Sequence, residues 1–374
     1  MEKIYLKIGI SILSGLWLGG SWSAVDQLLN GYFFLNPAEL SLIKKLQLLE
    51  GNVLITPKLE FRGITPIGQG RVISRVHDFI PYLLSGFRFN DKFVGGITIT
   101  PSAYGHIEWP MNSIVREAST TTKLFYYRFG AQTSYQLSEK FAFGVGVNLN
   151  YNKRGELDFI VPKNGNQINK MSGVNCTGDL GLYYQINSRN FLTAALYTGV
   201  NTYGHGTSSL GSTTVHNFYL NIIEAPVAFI GLQHWWSNKL LLEGKIYWSG
   251  WSIEKNINFK NKTTGSSISP ANWSDTWSFQ TNLRYEITDK LALLNSLIYE
   301  TNPAPVSTNA IGYPLSGAGS LSMGLDVMLQ KNFSSQFIYS YGEFLPHAKI
   351  NSGGSKGEIP GQFQAAIVQF TYKA

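Results

Sequence analysis

The 374-residue chain is 44% hydrophobic, 14% aromatic and 14% charged, with 38 glycines and a formal charge of +7. Soluble chains carry about 25% charged residues, and disordered ones are richer in charge and poorer in aromatics, so neither class fits. Mean hydropathy is −0.05, and outside the extreme N-terminus no apolar run reaches the roughly 18 residues of a spanning helix. What remains is a transmembrane β-barrel, whose apolar residues are diluted by alternation with polar ones. A single cysteine, Cys176, leaves no disulfide framework and no Cys-rich metal site. The basic residues are spread rather than clustered. That pattern suits lipid head groups or an anionic ligand better than nucleic acid.

Residues 1–23 have the pattern of a secretory signal. Lys3 and Lys7 form a basic start, residues 8–20 are apolar, and Ser21-Trp22-Ser23 offers a cleavage site after Ser23. Residues 24–50 do not alternate and suggest a hatch, or plug, ahead of the barrel. Asn36-Pro37-Ala38-Glu39 is a helix start, with Asn as N-cap, Pro at the first helical position and Glu at the third. Leu40, Ile43, Leu46 and Leu49 follow at helical spacing, and Gly51 is expected to end the helix.

The barrel is expected over 51–374, with strands starting near Val53, Phe79, Phe93, Thr122, Phe141, Val174, Phe191, Asn217, Leu240, Trp273, Leu291, Leu321, Gln336 and Phe363. Alternation is clear where Phe141, Phe143, Val145, Val147 and Leu149 interleave with Ala142, Gly144, Gly146, Asn148 and Asn150. It recurs where Trp277, Phe279, Leu283, Tyr285 and Ile287 interleave with Ser278, Gln280, Asn282, Arg284 and Glu286. A period of two puts each set on its own face. Short polar turns near 90–91, 138–140, 187–190, 237–239, 288–290 and 331–334 alternate with longer Gly/Ser/Asn/Pro-rich stretches at 62–77, 105–118, 161–173, 203–216, 260–272, 302–319 and 351–361. Outer-membrane barrels show this asymmetry of short periplasmic turns and long outer loops. A soluble β-sandwich also alternates but has no need for seven long loops on one side. Aromatics near the short turns, among them Tyr135, Phe141, Tyr184, Phe191, Trp235, Trp236, Tyr285, Phe333 and Phe337, suit an interfacial girdle.

Asn36-Pro37-Ala38 with Leu40, and Ile55-Thr56-Pro57 entering the first strand, resemble the FadL-type long-chain fatty acid transporter family, which includes TodX-like aromatic hydrocarbon channels. So do residues 247–252 (Tyr-Trp-Ser-Gly-Trp-Ser), 272–277 (Asn-Trp-Ser-Asp-Thr-Trp) and 299–305 (Tyr-Glu-Thr-Asn-Pro-Ala-Pro), in family order across nearly the whole mature chain. The resemblance implies a fourteen-stranded outer-membrane barrel with a hatch. It also implies passive, ligand-gated uptake of hydrophobic molecules from outside, through a lumenal pocket, and out by a lateral gap near a kinked third strand. The third strand here contains Gly95-Gly96 and is expected to end at Pro101. Glycine weakens a strand and proline cannot complete a ladder. The outer stretches 161–173 and 203–216 are short for a capture groove.

Read through alternation, Arg88, Arg128, Lys245 and Arg284 point inward, as do Glu243, Glu286 and Asp326. A lumenal Arg or Lys holding a fatty acid carboxylate is one reading. Mutual pairing of these charges, or pairing with the hatch, is the other and the favoured one. Tyr126, Tyr183 and Tyr197 also point inward and would line an apolar path. A basic, partly apolar pocket suits an acyl chain with an acid head, and a purely apolar one suits an uncharged hydrocarbon. Gly353-Gly354-Ser355-Lys356-Gly357 matches a nucleophile-elbow pattern but lies in a loop, without the strand-to-helix context the chemistry needs. The histidines show no metal-ligand spacing. No catalytic residue, metal or cofactor is therefore expected, and a phospholipase or adhesin remains an alternative. The expected partners are a long-chain fatty acid or other hydrophobic molecule, outer-membrane lipid and lipopolysaccharide, with the chain a monomer.

Overall fold

A computed structural model describes residues 36–260 and 267–374. The expected signal, 1–23, and the first part of the expected hatch, 24–35, lie outside the described residues. Fourteen strands form the wall: β1 (Leu46–Thr65), β3 (Asp78–Arg88), β4 (Phe93–Glu108), β5 (Thr121–Ser138), β6 (Phe141–Val161), β7 (Gly165–Gln185), β8 (Asn190–Tyr197), β11 (Val227–Trp235), β12 (Leu240–Ser249), β15 (Thr276–Thr288), β16 (Leu291–Glu300), β17 (Ala318–Gln330), β18 (Phe333–Phe344) and β21 (Gly361–Lys373). Each is antiparallel to the next, and β21 closes the ring on β1 along Gln47↔Lys373 to Leu59↔Gly361. Closure leaves no free edge, a requirement for β-structure in lipid.

Period-two burial gives the wall its two faces. On β15 Trp277 and Phe279 are each 48% exposed to the outside, whereas Ser278, Gln280, Asn282 and Arg284 between them are buried inside. Ring pairs Phe93–Tyr135, Phe141–Tyr184 and Phe333–Phe370, with centroids 4.8, 6.3 and 5.9 Å apart, sit beside the short turns, where a girdle belongs. Phe191 departs from that expectation. It is buried inside, stacked on Tyr183 at 6.1 Å.

Among the described residues seven further strands stand beyond the wall: β2 (Gly68–Arg75), β9 (Val200–Leu210), β10 (Thr213–Glu224), β13 (Asn256–Lys260), β14 (Ser267–Pro270), β19 (Ala348–Ser352) and β20 (Ser355–Ile359). The expected loops at 62–77, 161–173, 203–216 and 351–361 are thus largely tall hairpins that prolong the wall. Gly, Ser and Asn mark their tight turns rather than irregular coil. The Asn217 start falls in β10, outside the wall, and the wall strand in that region is β11. Gly353 and Gly354, at φ 59° and 74°, make the two-residue turn between β19 and β20. Positive φ at both positions is what a type I′ hairpin needs, and it accounts for the elbow-like glycines without catalysis.

The outer end is closed by a packed apolar cap. Residues 247–252, 272–277 and 299–305 converge there. Trp248 Nε1 donates to Asp275 Oδ2 (3.1 Å), the Ser252 amide to Asp275 Oδ1 (2.8 Å) and the Ser274 amide to Pro303 O (2.8 Å). Trp251 meets Trp273 edge-on at 5.5 Å, and Trp273 stacks on Tyr313 at 6.0 Å. Phe61, Ile107, Leu315, Phe344 and Ile359 complete this core.

The helix expected after Asn36 is shorter than its leucine spacing suggested. Pro37–Leu42 is a single 3-10 segment with Asn36 as its cap, and the chain is extended again by Ile43. Leu46 and Leu49 therefore belong to β1, not to a helix, and the barrel starts at Leu46 rather than at residue 51. Alternation resolves the ambiguity: Leu49, Val53 and Ile55 are buried on one face, while Leu48 and Leu54 are exposed on the other.

Candidate functional site

The inner wall is a net of amides and hydroxyls bonded from strand to strand. Asn150 donates to Asn175 Oδ1, Thr177 Oγ1 and Tyr197 Oη at 2.7–3.2 Å, and Asn148 and Gln132 each donate to Asp179 at 2.9 Å. The predicted inward charges fall into this net. Arg128 lies 3.4 Å from Glu224 and 4.1 Å over the ring of Tyr197, whose hydroxyl donates to the same Glu224 at 2.6 Å. Lys245 pairs with Glu243 at 3.1 Å, and Glu243 also accepts from Gln233 at 2.8 Å and Asn282 at 2.5 Å. Arg284 pairs with Asp326 at 2.6 Å.

Arg88 acts on the hatch. Its Nε donates to Ile43 O at 2.7 Å, a second nitrogen to Ser41 O, and a third to Asp91 O at 3.0 Å. Asn36, Pro37 and Ala38 anchor the other end. Asn36 accepts from the Ala38 amide (2.9 Å) and donates to Leu182 O (2.8 Å) and Thr193 Oγ1 (2.7 Å). Ser134 Oγ donates to Ala38 O at 3.1 Å, and Tyr183 with Phe191 packs against Ala38. The seat is made of glycines. A Cβ at Gly86, Gly96, Gly144 or Gly181 would overlap Ile43, Leu40, Pro37–Ala38 or Asn36 respectively. Of these only Gly96 is marked by the sequence. The others become visible once register places Gly86, Gly144 and Gly181 on the inner face, level with the short turns.

Beside the hatch the wall has a seam. The β3–β4 ladder runs from Arg88↔Val94 to Leu83↔Ile99 and stops. Two positions further in that register, Pro81 faces Pro101. Neither has an N–H, so the ladder cannot go on. Strand β4 itself continues to Glu108, past the expected end at Pro101, with a bulge against β5 between Pro101 and Ala103. Beyond the bulge alternation is lost, and Ser102, Tyr104, His106 and Ile107 are all buried. Gly95 and Gly96 lie below the seam on opposite faces, the first making room for Phe89 and the second for Leu40.

Above the ladder's end, side chains take over from backbone. Asp78 on β3 accepts from the Tyr104 hydroxyl (2.5 Å) and meets His106 Nδ1 (2.7 Å), and His106 Nε2 reaches Glu108 at 2.9 Å. Thr100 Oγ1 and Ser102 Oγ are buried here with no hydrogen-bond partner. Below the seam, Leu40, Ile43, Leu49, Leu84 and Thr98 enclose a small, mostly apolar cavity of about 40 Å³ between hatch and wall. Tyr126 is buried on the inner wall at the bulge level, opposite Ala103. Sequence reasoning singled out Pro101 but passed over Pro81. The short turn at Asn90-Asp91 fixes the hairpin register and would have paired them.

No curated protein matches the chain. Among solved structures, the barrel is similar to a Pseudomonas aeruginosa FadL homologue, with 15% identity, a TM-score of 0.82, and 98% and 97% of the two chains covered. It is also similar to the Pseudomonas putida toluene transporter TodX, with 16% identity, a TM-score of 0.72 and 97% of each chain covered. The Ralstonia pickettii toluene transporter TbuX matches at 14% identity and a TM-score of 0.72, over 98% of each chain. The superpositions establish the shared fold. The sequence profile of the outer membrane protein transport proteins (OMPP1/FadL/TodX) matches residues 23–371, and the chain is a member of that outer-membrane family.

Proposed function

We propose that the protein conducts uncharged hydrophobic molecules, of the size of monoaromatic hydrocarbons, from the outer lumen past the hatch and out sideways through the β3–β4 seam. The observation that carries this reading is the facing pair Pro81 and Pro101, where the wall loses its ladder directly above an apolar cavity. A molecule crossing there passes from a screened lumen into lipid without meeting bulk water, so its apolar surface stays covered. Arg88, Arg128 and Lys245 are each engaged by carbonyls or carboxylates. A carboxylate arriving at any of them would have to displace an existing partner, which argues, on this path, for an uncharged hydrocarbon over the long-chain fatty acid that the sequence led us to expect first. The family and the structural neighbours are transport proteins rather than enzymes. One chain closes its own barrel, and we take the monomer as the working unit.

The test is a seam that can be stapled. In a Cys176→Ser background, Pro81→Cys and Pro101→Cys joined by a short bismaleimide should abolish uptake of labelled toluene by whole cells. The unlinked double variant should retain it. Full uptake through a stapled seam would refute the lateral exit. Labelled oleate run in parallel separates the two ligand classes.

A further inference from the structure

Another feature lies at the periplasmic mouth, across the barrel from the strands that seat Pro37–Leu42. A cavity of about 430 Å³ lies along the inner wall between β15, β16, β17, β18 and β21, just above the turns at 288–291 and 330–333. That volume is within the range of small-molecule sites. Leu291, Ala292, Met328 and Phe333 give it an apolar side. Its polar side is Arg284, Lys373, Asp326 and Gln336, with Lys290 and Lys331 at the rim against Glu286 and Asp289.

Arg284 is the unusual member. Its side chain is 8% exposed, and Nη1 is taken by Asp326 at 2.6 Å. Its Nε is buried without a hydrogen-bond partner. A buried guanidinium donor left unpaired is costly, and in the lining set cations outnumber anions by four to three. Asp326 is itself already held by Arg284 and, at 3.2 Å, by Gln336. Arg284 thus lines a space with a positive balance and an apolar flank.

We infer that this cavity is a binding site for a compact amphiphilic carboxylate, its head on the Arg284 guanidinium and its apolar body against Leu291, Met328 and Phe333. The planar fork of Arg suits a carboxylate through charge-assisted hydrogen bonds. The site is separate from the seam and does not depend on which hydrophobic compound crosses there. Its failure would leave toluene uptake untouched, and failure of the stapling test would leave this site untouched.

Calorimetric titration of the full chain in non-ionic detergent with benzoate, against benzamide as its neutral isostere, tests the assignment. Benzoate should bind more tightly than benzamide. Arg284→Met should weaken benzoate by about tenfold and leave benzamide unchanged. Asp326→Asn removes the competing anion and should tighten benzoate severalfold, a gain that a purely structural ion pair would not produce. Should Arg284→Met fail to fold, the Asp326→Asn result decides alone. Equal affinities for benzoate and benzamide, or a benzoate affinity indifferent to Asp326→Asn, would overturn the proposal.

Discussion

The two ends of the lumen are closed in different ways. The outer cap is a packed core of aromatic and aliphatic side chains from several loops, with Trp251, Trp273 and Tyr313 in ring contact. At the periplasmic end, the described part of the expected hatch, Pro37–Leu42 with its cap Asn36, rests on glycines, donates through Asn36 to the wall and accepts from Ser134 and Arg88. Apolar burial is non-directional and scales with area, so the cap resists opening as a unit. Hydrogen bonds between a plug and a polar wall contribute little net energy each, because water replaces them when the plug leaves. The cap is thus held mainly by apolar contact area and Pro37–Leu42 mainly by directed hydrogen bonds.

The sharpest way to break the contrast is to hollow out the cap. Trp273→Ala removes a ring stacked on Tyr313 and edge-on to Trp251, at 4% exposure. Large-to-small changes at such sites cost about 3–5 kcal/mol. The cap should open locally, seen as protease cleavage in the outer loops while the barrel band stays heat-modifiable on gels. Trp251→Ala in the same background should add less than its own single effect, since the two rings share a contact. A cap that resists protease as well as the wild type would mean that ring packing is not what closes it.

A smaller effect comes from one carboxyl in that cap. Glu254 is 2% exposed and accepts the Ile223 amide at 2.6 Å. Burial pushes it up to about 7, against the opposing pull of the Ile223 and Asn256 amides. Its folded value lies above the ordinary 4.5, so the folded cap holds this proton more tightly than the open one. The resulting stabilisation is fully present below pH about 4.5 and is lost as pH rises through about 7, about 3 kcal/mol in all. Local cap stability, followed by tryptophan fluorescence, should fall over that window in the wild type and stay flat in Glu254→Gln. A wild-type profile as flat as the variant's would count against a neutral buried carboxyl there.

How legible each end was in the sequence follows from the same physics. Wall strands announce themselves because lipid on one side and a polar lumen on the other force a strict period of two, as in residues 277–287. The cap was visible only as scattered Trp and Asn-Pro segments; their meeting point depends on long-range closure that periodicity does not encode. At the hatch, Asn36-Pro37 gave the start correctly. The Leu spacing that followed fitted a helix and a strand equally well over so few residues, and sheet pairing with β3 and β21 decided for the strand. Charges are the hardest to read. Alternation put Arg128, Lys245 and Arg284 inside, but nothing local tells that Glu224, 96 positions away from Arg128, is its partner.

The gentlest test weakens the hatch without touching the wall. Asn36→Ala deletes the cap to the Ala38 amide and two donated bonds, to Leu182 O and Thr193 Oγ1. Thr193 keeps its bond to Glu39 at 2.6 Å, and Leu182 lies in a paired strand, so little is left stranded. The net loss should be about 2 kcal/mol, which corresponds to a roughly thirtyfold rise in the time the hatch spends unseated. Planar-bilayer recording should show this as more frequent conductance bursts, with no change in their size. Asn36→Asp keeps the cap oxygen but loses both donated bonds, and it should fall between the wild type and Asn36→Ala. If bursts stay as rare in Asn36→Ala as in the wild type, hydrogen bonding at this residue is not what holds the plug, and the glycine seat is left as the restraint. Gly181→Leu would then have to unseat the hatch by itself, since its side chain would occupy the place of Asn36.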